Sequence, residues 1–238
     1  MMTDSGIQPG PNHKPGNSDT FHAGLVTVHE PASPAAEAYR TLRTHLLYAA
    51  VDAPPKIIIL TSPEPKDGKS ITCANLGVVL SQVEKSTLIL DCDLRNPQMH
   101  DIFGLPNVRG IVDILAQEIN APETWQEPLP NLKVLTAGSM CPTPAEVLSS
   151  KRFAEFLEQV REAFDYVLVD TPPLQLVSDP IILATQADGV LLVVNAQSTR
   201  KWSVRQSVRS LHAVEANVLG TVVNNVKASR GSGYPYGS

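Results

Sequence analysis

The sequence predicts a doubly wound α/β sandwich on a mostly parallel sheet, and three observations predict it. Six short runs, KIIILT (56–61), STLILD (86–91), LKVLTA (132–137), DYVLVD (165–170), GVLLVVNA (189–196) and VLGTVVNNV (218–226), are nearly continuous hydrophobics, as strands buried on both faces are. The segments between most of them are long enough for right-handed crossovers through helices. The first, second and fourth runs end in a lysine-bearing loop or in aspartates, and open parallel sheets bind ligands outside the carboxyl ends of their strands.

The 238 residues suit one large domain or two small ones, with an ordinary apolar fraction and a sizeable core. A formal charge of −5 with both signs mixed argues against nucleic acid as a partner, because a nucleic-acid surface needs a basic face to displace counterions. Cys73, Cys92 and Cys141 stand far apart without a CxxC, the usage of a reducing compartment, which points to the cytoplasm. No run approaches the roughly 20 apolar residues of a bilayer span, so a membrane role is expected to come through a partner.

Residues 1–29 are rich in Pro, Gly, Ser and Asn and read as a flexible tail. A helix is expected over Pro34–Ala50, with Ser33 as N-cap and Pro at its first position. It opens a single domain over 30–227. Residues 228–238 form a second Gly/Ser-rich tail that carries Tyr234 and Tyr236.

The first run leads into Ser62-Pro63-Glu64-Pro65-Lys66-Asp67-Gly68-Lys69-Ser70 and then ITCANLGVVLSQ. Strand, tight loop, GKS and helix is the order of a phosphate cradle. Backbone N–H groups converge on the phosphates, Lys69 supplies positive charge and the Ser70 hydroxyl can ligate Mg²⁺. The full GxxxxGK pattern places Gly where this chain has Pro63. Taken alone, GKS also fits a helix start with a turn glycine and a serine cap. Two further strand ends weigh against that plain reading. STLILD runs into Asp91-Cys92-Asp93-Leu94-Arg95, and DYVLVD ends in Asp170-Thr171-Pro172-Pro173. One aspartate after a strand commonly caps a turn. Two or three beside one lysine suit metal–phosphate chemistry, in which hard oxygens hold the cation and a carboxylate accepts a proton from an incoming hydroxyl.

Together, TSPEPKDGKS, LILDCDLRNPQMHDIFGLPNVRGIVDIL, PTPAEVL, DYVLVDTPP and GTVVNN resemble the bacterial tyrosine kinases (BY-kinases) of capsular and exopolysaccharide assembly, a branch of the deviant P-loop ATPases. The resemblance runs from about Ser33 to Val226. It implies ATP and Mg²⁺ as cofactors and a nucleotide site over Pro65, Lys66, Asp67, Gly68, Lys69, Ser70 and Ile71, with Asn224 near the adenine. It implies Lys69, Asp91 and Asp93 as catalytic residues, Asp91 being the base toward a tyrosine hydroxyl, and Ser70, Asp93 and Asp170 around the metal. The family's loop usually has Gly where this chain has Lys66, and Glu64 stands where partitioning ATPases carry an extra signature lysine.

Glu37, Arg40 and Arg43 match the family's ExxRxxR pattern, which implies a ring-shaped homo-oligomer. By spacing alone they form either one contact surface or a solvated face with an i,i+3 Glu–Arg pair. Tyr234 and Tyr236 match a reduced version of the family's C-terminal cluster, phosphorylated by neighbouring subunits. The implied partner is a separate membrane adaptor or polysaccharide co-polymerase, which would hold the protein at the inner face of the membrane. The alternative is a non-kinase ATPase switch of the partitioning or septum-site type. A GTPase ranks below both for want of an NKxD-like guanine motif. Arg95 is expected either to approach phosphate or to pair with Asp91 or Asp93. His100, Phe103 and Cys92 are assigned to packing, and Trp125 and Trp202 to no ligand.

Overall fold

The computed structural model describes residues 20–48, 54–116 and 124–227. Nine helices occur among these residues: α1 (Val26–His29), α2 (Pro34–Tyr48), α3 (Lys69–Ser81), α4 (Met99–Phe103), α5 (Ile111–Leu115), α6 (Pro144–Leu148), α7 (Lys151–Ala163), α8 (Asp179–Ala184) and α9 (Lys201–Ala213). The strands are β1 (Ile57–Thr61), β2 (Thr87–Asp91), β3 (Gln126–Leu129), β4 (Leu132–Leu135), β5 (Tyr166–Asp170), β6 (Gly189–Asn195) and β7 (Val218–Asn224). All six expected strands are present, in one sheet of order β3-β4-β2-β5-β1-β6-β7. Every pairing is parallel except β3 with β4.

The continuous apolar runs are explained by layers on both sheet faces. Ile57, Ile59, Leu88, Leu90, Val167 and Val169 pack into one layer with Phe153, Phe156, Leu157 and Val160 of α7. Their neighbours Ile58, Leu60, Ile89 and Leu168 point to the other face, against Leu76, Val79 and Leu80 of α3 and Phe103. Alternate side chains thus fill opposite layers, so each strand must be apolar throughout. The central strand β1 lies between β5 and β6; the crossover leaving β1 runs to β2 on one side, and the crossover leaving its neighbour β5 runs to β6 on the other. That reversal opens a crevice at its carboxyl end.

Two features differ from the sequence reading. The edge strand β3 was not expected, because QEPL has no apolar run; it joins through an antiparallel hairpin whose corner, Asn131, has φ 61°, and Pro128 is tolerated there because an edge strand need not donate on both sides. The boundary of the flexible tail at residue 29 also needs correcting over residues 20–29. Phe21 and Leu25 are buried, and the Phe21 ring meets Phe103 edge-on at 5.8 Å. The remainder of that tail, the end of the expected helix at Ala50 and the tail 228–238 with Tyr234 and Tyr236 lie outside the described residues. Ser33 does cap α2, its Oγ accepting from Ala36 N at 3.1 Å.

The N-terminal segment is fastened by Asn75 on α3. Its buried Oδ1 accepts from Thr27 N (3.0 Å) and Thr27 Oγ1 (2.8 Å), and its Nδ2 donates to Gly24 O (2.8 Å) and Ile71 O (2.9 Å). Replacing it leaves several buried groups without partners, so Asn75→Ala is expected to lower stability by about 2–4 kcal/mol in urea unfolding. A loss below about 0.5 kcal/mol would mean that the segment is held by its apolar contacts alone.

Candidate active site

The crevice is built from the ends of β1, β2 and β5. After β1 the chain bends through residues 62–68 and enters α3 at Lys69. Gly68, at φ +93°, makes that entry possible; a Cβ there would lie 2.5 Å from Asn224 Nδ2. Lys66 also adopts a left-handed conformation, φ 64°, which explains physically why a glycine suits that position. The loop and the first turn of α3 line a cavity of about 450 Å³, whose wall includes Lys66, Lys69, Ser70, Asp93 and Arg95.

Lys69 is the meeting point of the charges. Its Nζ lies 2.8 Å from Asp93 Oδ2, 3.4 Å from Asp170 Oδ2 and 3.0 Å from Ser70 Oγ, and that hydroxyl donates to Asp170 Oδ2 at 2.6 Å. Burial pulls the Lys69 pKa down, but Asp170 and Asp93 outweigh it and the ammonium is held more firmly than usual. Asp170 is fully buried, and desolvation raises its pKa against the opposing pull of Lys69 and Ser70. Asp91, also fully buried, accepts through Oδ2 from Gln98 N and Met99 N, both at 2.9 Å. Desolvation first, and the Asp170 charge second, push its pKa up to about 8. Asp91 Oδ1 and Asp170 Oδ1 are buried without a hydrogen-bond partner, so each keeps a lone-pair position for a proton or a cation.

The structure brings together Lys69, Ser70, Asp91, Asp93 and Asp170, with Pro65, Lys66, Gly68 and Ile71 on the cavity wall. Asp67 turns away from the cavity: its carboxylate accepts from Thr199 Oγ1 (2.6 Å) and Glu64 N (3.0 Å). Asn224 braces the loop, donating from Nδ2 to Asp67 O (3.0 Å) and Thr72 Oγ1 (3.1 Å). Arg95 pairs with neither Asp91 nor Asp93. It forms a two-point contact with the buried carboxylate of Asp179, Nε–Oδ2 2.8 Å and Nη2–Oδ1 3.2 Å, a partner that sequence distance concealed.

Within the chain, Arg40 forms the i,i+3 pair with Glu37 at 2.9 Å, and Arg43 donates to Val79 O at 2.9 Å. Sequence reading also missed His22 and Leu176 on the cavity wall. His22 fell in the segment read as tail, and Leu176 carries no polar signal. Cys92 is buried in the core and Trp125 stacks edge-on against Phe164, as packing residues do.

Comparison with known proteins agrees with this geometry. The chain is 38% identical over 213 residues to the tyrosine-protein kinase YwqD of Bacillus subtilis (strain 168), covering 89% of this chain and 90% of YwqD. This chain belongs to the bacterial tyrosine-protein kinase family. The ParA family model, described as NUBPL iron-transfer P-loop NTPase, matches residues 55–232. Among solved structures, the chimerical protein CapA2B2 superposes with a TM-score of 0.82 at 32% identity, covering 87% of this chain and 92% of the other. The kinase domain of the Escherichia coli tyrosine kinase ETK gives 0.82 at 30% identity, covering 90% and 84%. Some kinases of the family are far longer: the chain spans 29% of Wzc from Salmonella typhimurium, at 34% identity over 88% of its own length. No helix among the described residues is long and apolar enough to cross a membrane.

The raised pKa of Asp91 has a stability consequence in this kinase fold. Its ordinary value is 3.8, against about 8 when folded. Between these values the folded chain holds a proton that the unfolded chain releases, so this group's contribution is present at low pH and is lost as pH rises through 8. Asp91→Asn keeps an acceptor for Gln98 N and Met99 N without the buried charge. It is expected to raise the melting midpoint of the nucleotide-free protein at pH 8 by about 3 °C or more, with a smaller gain at pH 5. An equal gain at both pH values would contradict the raised pKa.

Proposed function

We propose that the protein is an ATP:protein-tyrosine phosphotransferase working in capsular or exopolysaccharide assembly. The observation that carries this reading is the cluster of Lys69, Ser70, Asp93 and Asp170 at the carboxyl ends of the strands, with Asp91 buried directly behind it. The donor set fits a nucleotide and a hard cation. A lysine and a glycine-led helix start face the phosphates, and two buried carboxylate oxygens stand without partners. Among the described residues no group of three or more His, Cys, Asp and Glu side chains has the geometry to hold a metal alone, so nucleotide oxygens and water would complete its shell, as is usual for Mg²⁺.

In this reading Lys69 and the first N–H groups of α3 bind the phosphates, and Ser70, Asp93 and Asp170 hold the Mg²⁺. The cation supplies charge neutralisation for phosphoryl transfer. Asp91 takes the proton of the acceptor tyrosine hydroxyl. As that oxygen bonds to the γ-phosphorus, the bond to the β,γ-bridging oxygen breaks and ADP is the leaving group. In the empty protein this carboxylate, with its pKa pushed up to about 8, is mostly protonated at neutral pH; it would serve as base once a bound cation lowers that value.

The acceptors in the same chain would be Tyr234 and Tyr236, in trans within a homo-oligomer contacted through Glu37, Arg40 and Arg43. A separate membrane adaptor would recruit the enzyme to the inner face of the membrane; the fusion named in the CapA2B2 chimera and the greater length of Wzc are what support a partner.

The test is incubation with Mg²⁺ and ATP, with and without an adaptor's cytoplasmic segment, followed by mass spectrometry of the C-terminal peptide. Phosphate on Tyr234 or Tyr236 is expected, reduced by about 100-fold or more in Lys69→Met and in Asp91→Asn. Nucleotide turnover with the tail unmodified in every condition would instead assign the protein to the ATPase switches.

A further inference from the structure

The phosphate loop of this chain lacks glycine at two places, Pro63 and Lys66, and one of them, Lys66, is bent into the left-handed region at φ 64°. A side chain there is strained by its own Cβ, and such a conformation persists only where its surroundings hold it. The holding groups come from the segment after β6. Asn195 N, at the end of that strand, donates to Thr199 Oγ1 at 2.8 Å, which directs the Thr199 hydroxyl hydrogen to Asp67 Oδ1 at 2.6 Å. The other oxygen of the same carboxylate accepts from Glu64 N at 3.0 Å, so Asp67 closes the bend across Lys66. Ser203, buried at the start of α9, donates to Glu64 Oε1 at 2.5 Å. On the inner side, Ser62 Oγ donates to Glu64 O at 2.8 Å.

We propose that Thr199 and Ser203 are positioning residues for nucleotide binding: through Asp67 and Glu64 they clamp the phosphate loop in the bend that Lys66 resists, doing by hydrogen bonds what glycine does by lacking a side chain. Neither residue lines the cavity, so both act through the loop. The clamp also accounts for Glu64, which is tied back to α9 and is thereby kept off the phosphates, where its charge would repel them. The inference rests on the nucleotide-binding part of the function proposed above and is independent of phosphate transfer to tyrosine.

Titration of the full chain with Mg²⁺ and a ribose-labelled fluorescent ADP tests it. Thr199→Val preserves shape and removes the hydroxyl; it is expected to weaken binding about ten-fold, the scale of one charge-assisted hydrogen bond. Thr199→Ser restores the donor and is expected to bind within about two-fold of the starting protein. The decisive measurement repeats Thr199→Val in a Lys66→Gly background, where the bend carries no Cβ strain, and there the same change is expected to cost less than about three-fold. A ten-fold loss in both backgrounds, no loss in either, or a Thr199→Ser protein as weak as Thr199→Val would overturn the clamp. Should Thr199→Val not fold, Ser203→Ala in the two Lys66 backgrounds is read by the same criterion. Tight nucleotide binding with the expected coupling but no phosphotyrosine would leave the clamp standing and remove the kinase reading; phosphotyrosine with no coupling would do the reverse.

Discussion

The ammonium of Lys69 is the charge on which the centre of this protein depends. Three carboxylates, Asp91, Asp93 and Asp170, approach it from the ends of two adjacent strands, and two of them have no exposure to solvent. A buried carboxylate is tolerated only when paired, hydrogen-bonded or protonated, and here all three remedies appear. Asp93 is paired with Lys69, Asp170 is paired and also accepts from Ser70, and Asp91 is hydrogen-bonded to two backbone N–H groups with its pKa pushed up to about 8. Removing the lysine would strip the first two of their counter-charge at once. Under the proposed function the same ammonium would face the phosphates, so the residue that stabilises the empty cluster would also be the one a nucleotide engages.

The sheet makes this concentration of charge possible. Registered parallel pairing sets Asp91 beside Asp170 on neighbouring strands, β2 and β5, and sets Leu60 of β1 beside Asp170 on the other side. The loop after β1 therefore starts beside Asp170 and two strands from Asp91, a span that the long side chain of Lys69 bridges by reaching both Asp170 and Asp93. Both apolar layers end below this level, and β1, β2 and β5 each stop on a buried polar residue, Thr61, Asp91 and Asp170. Fold and site are joined by register: a slip of one residue that drew Asp170 into the place of Val169 would bury it in a hydrophobic layer and leave Thr171 at the crevice.

Much of this was legible in the sequence because the strongest signals are local. Six apolar runs, GKS after a strand and aspartates at two strand ends are each contained within about ten residues, and periodicity rules read at that range. What was not legible depends on contacts between distant parts of the chain. Arg95 meets Asp179 across more than eighty positions, and neither residue's neighbours announce the other. Phe21, Gly24 and Thr27 follow a stretch of prolines and glycines that suggests a tail, yet Phe103 packs on the first and Asn75 bonds the other two. Strand β3 has a polar, proline-bearing sequence and exists because β4 offers it an edge. Asn224 was placed near the nucleotide by resemblance; that its amide braces Asp67 and Thr72 is visible only once β7 is laid beside β6.

The balance of charge in the cluster also limits how an anionic ligand can enter. With Asp91 protonated, one lysine faces the carboxylates of Asp93 and Asp170, and the local sum is already negative before any phosphate arrives. Lys66 on the cavity wall can balance this residual charge, while Arg95 is bound to Asp179. The site therefore offers phosphates little net positive charge of its own; under the proposed function a cation arriving with them would supply it, and near the free oxygens of Asp91 and Asp170 it would lower the pKa of both. A carboxylate that is protonated at neutral pH in the empty protein would then lose its proton as the metal and nucleotide bind. Under the proposed function this coupling would make Asp91 a competent base once its substrate is in place, and the burial that destabilises the empty cluster would keep that base protonated until then.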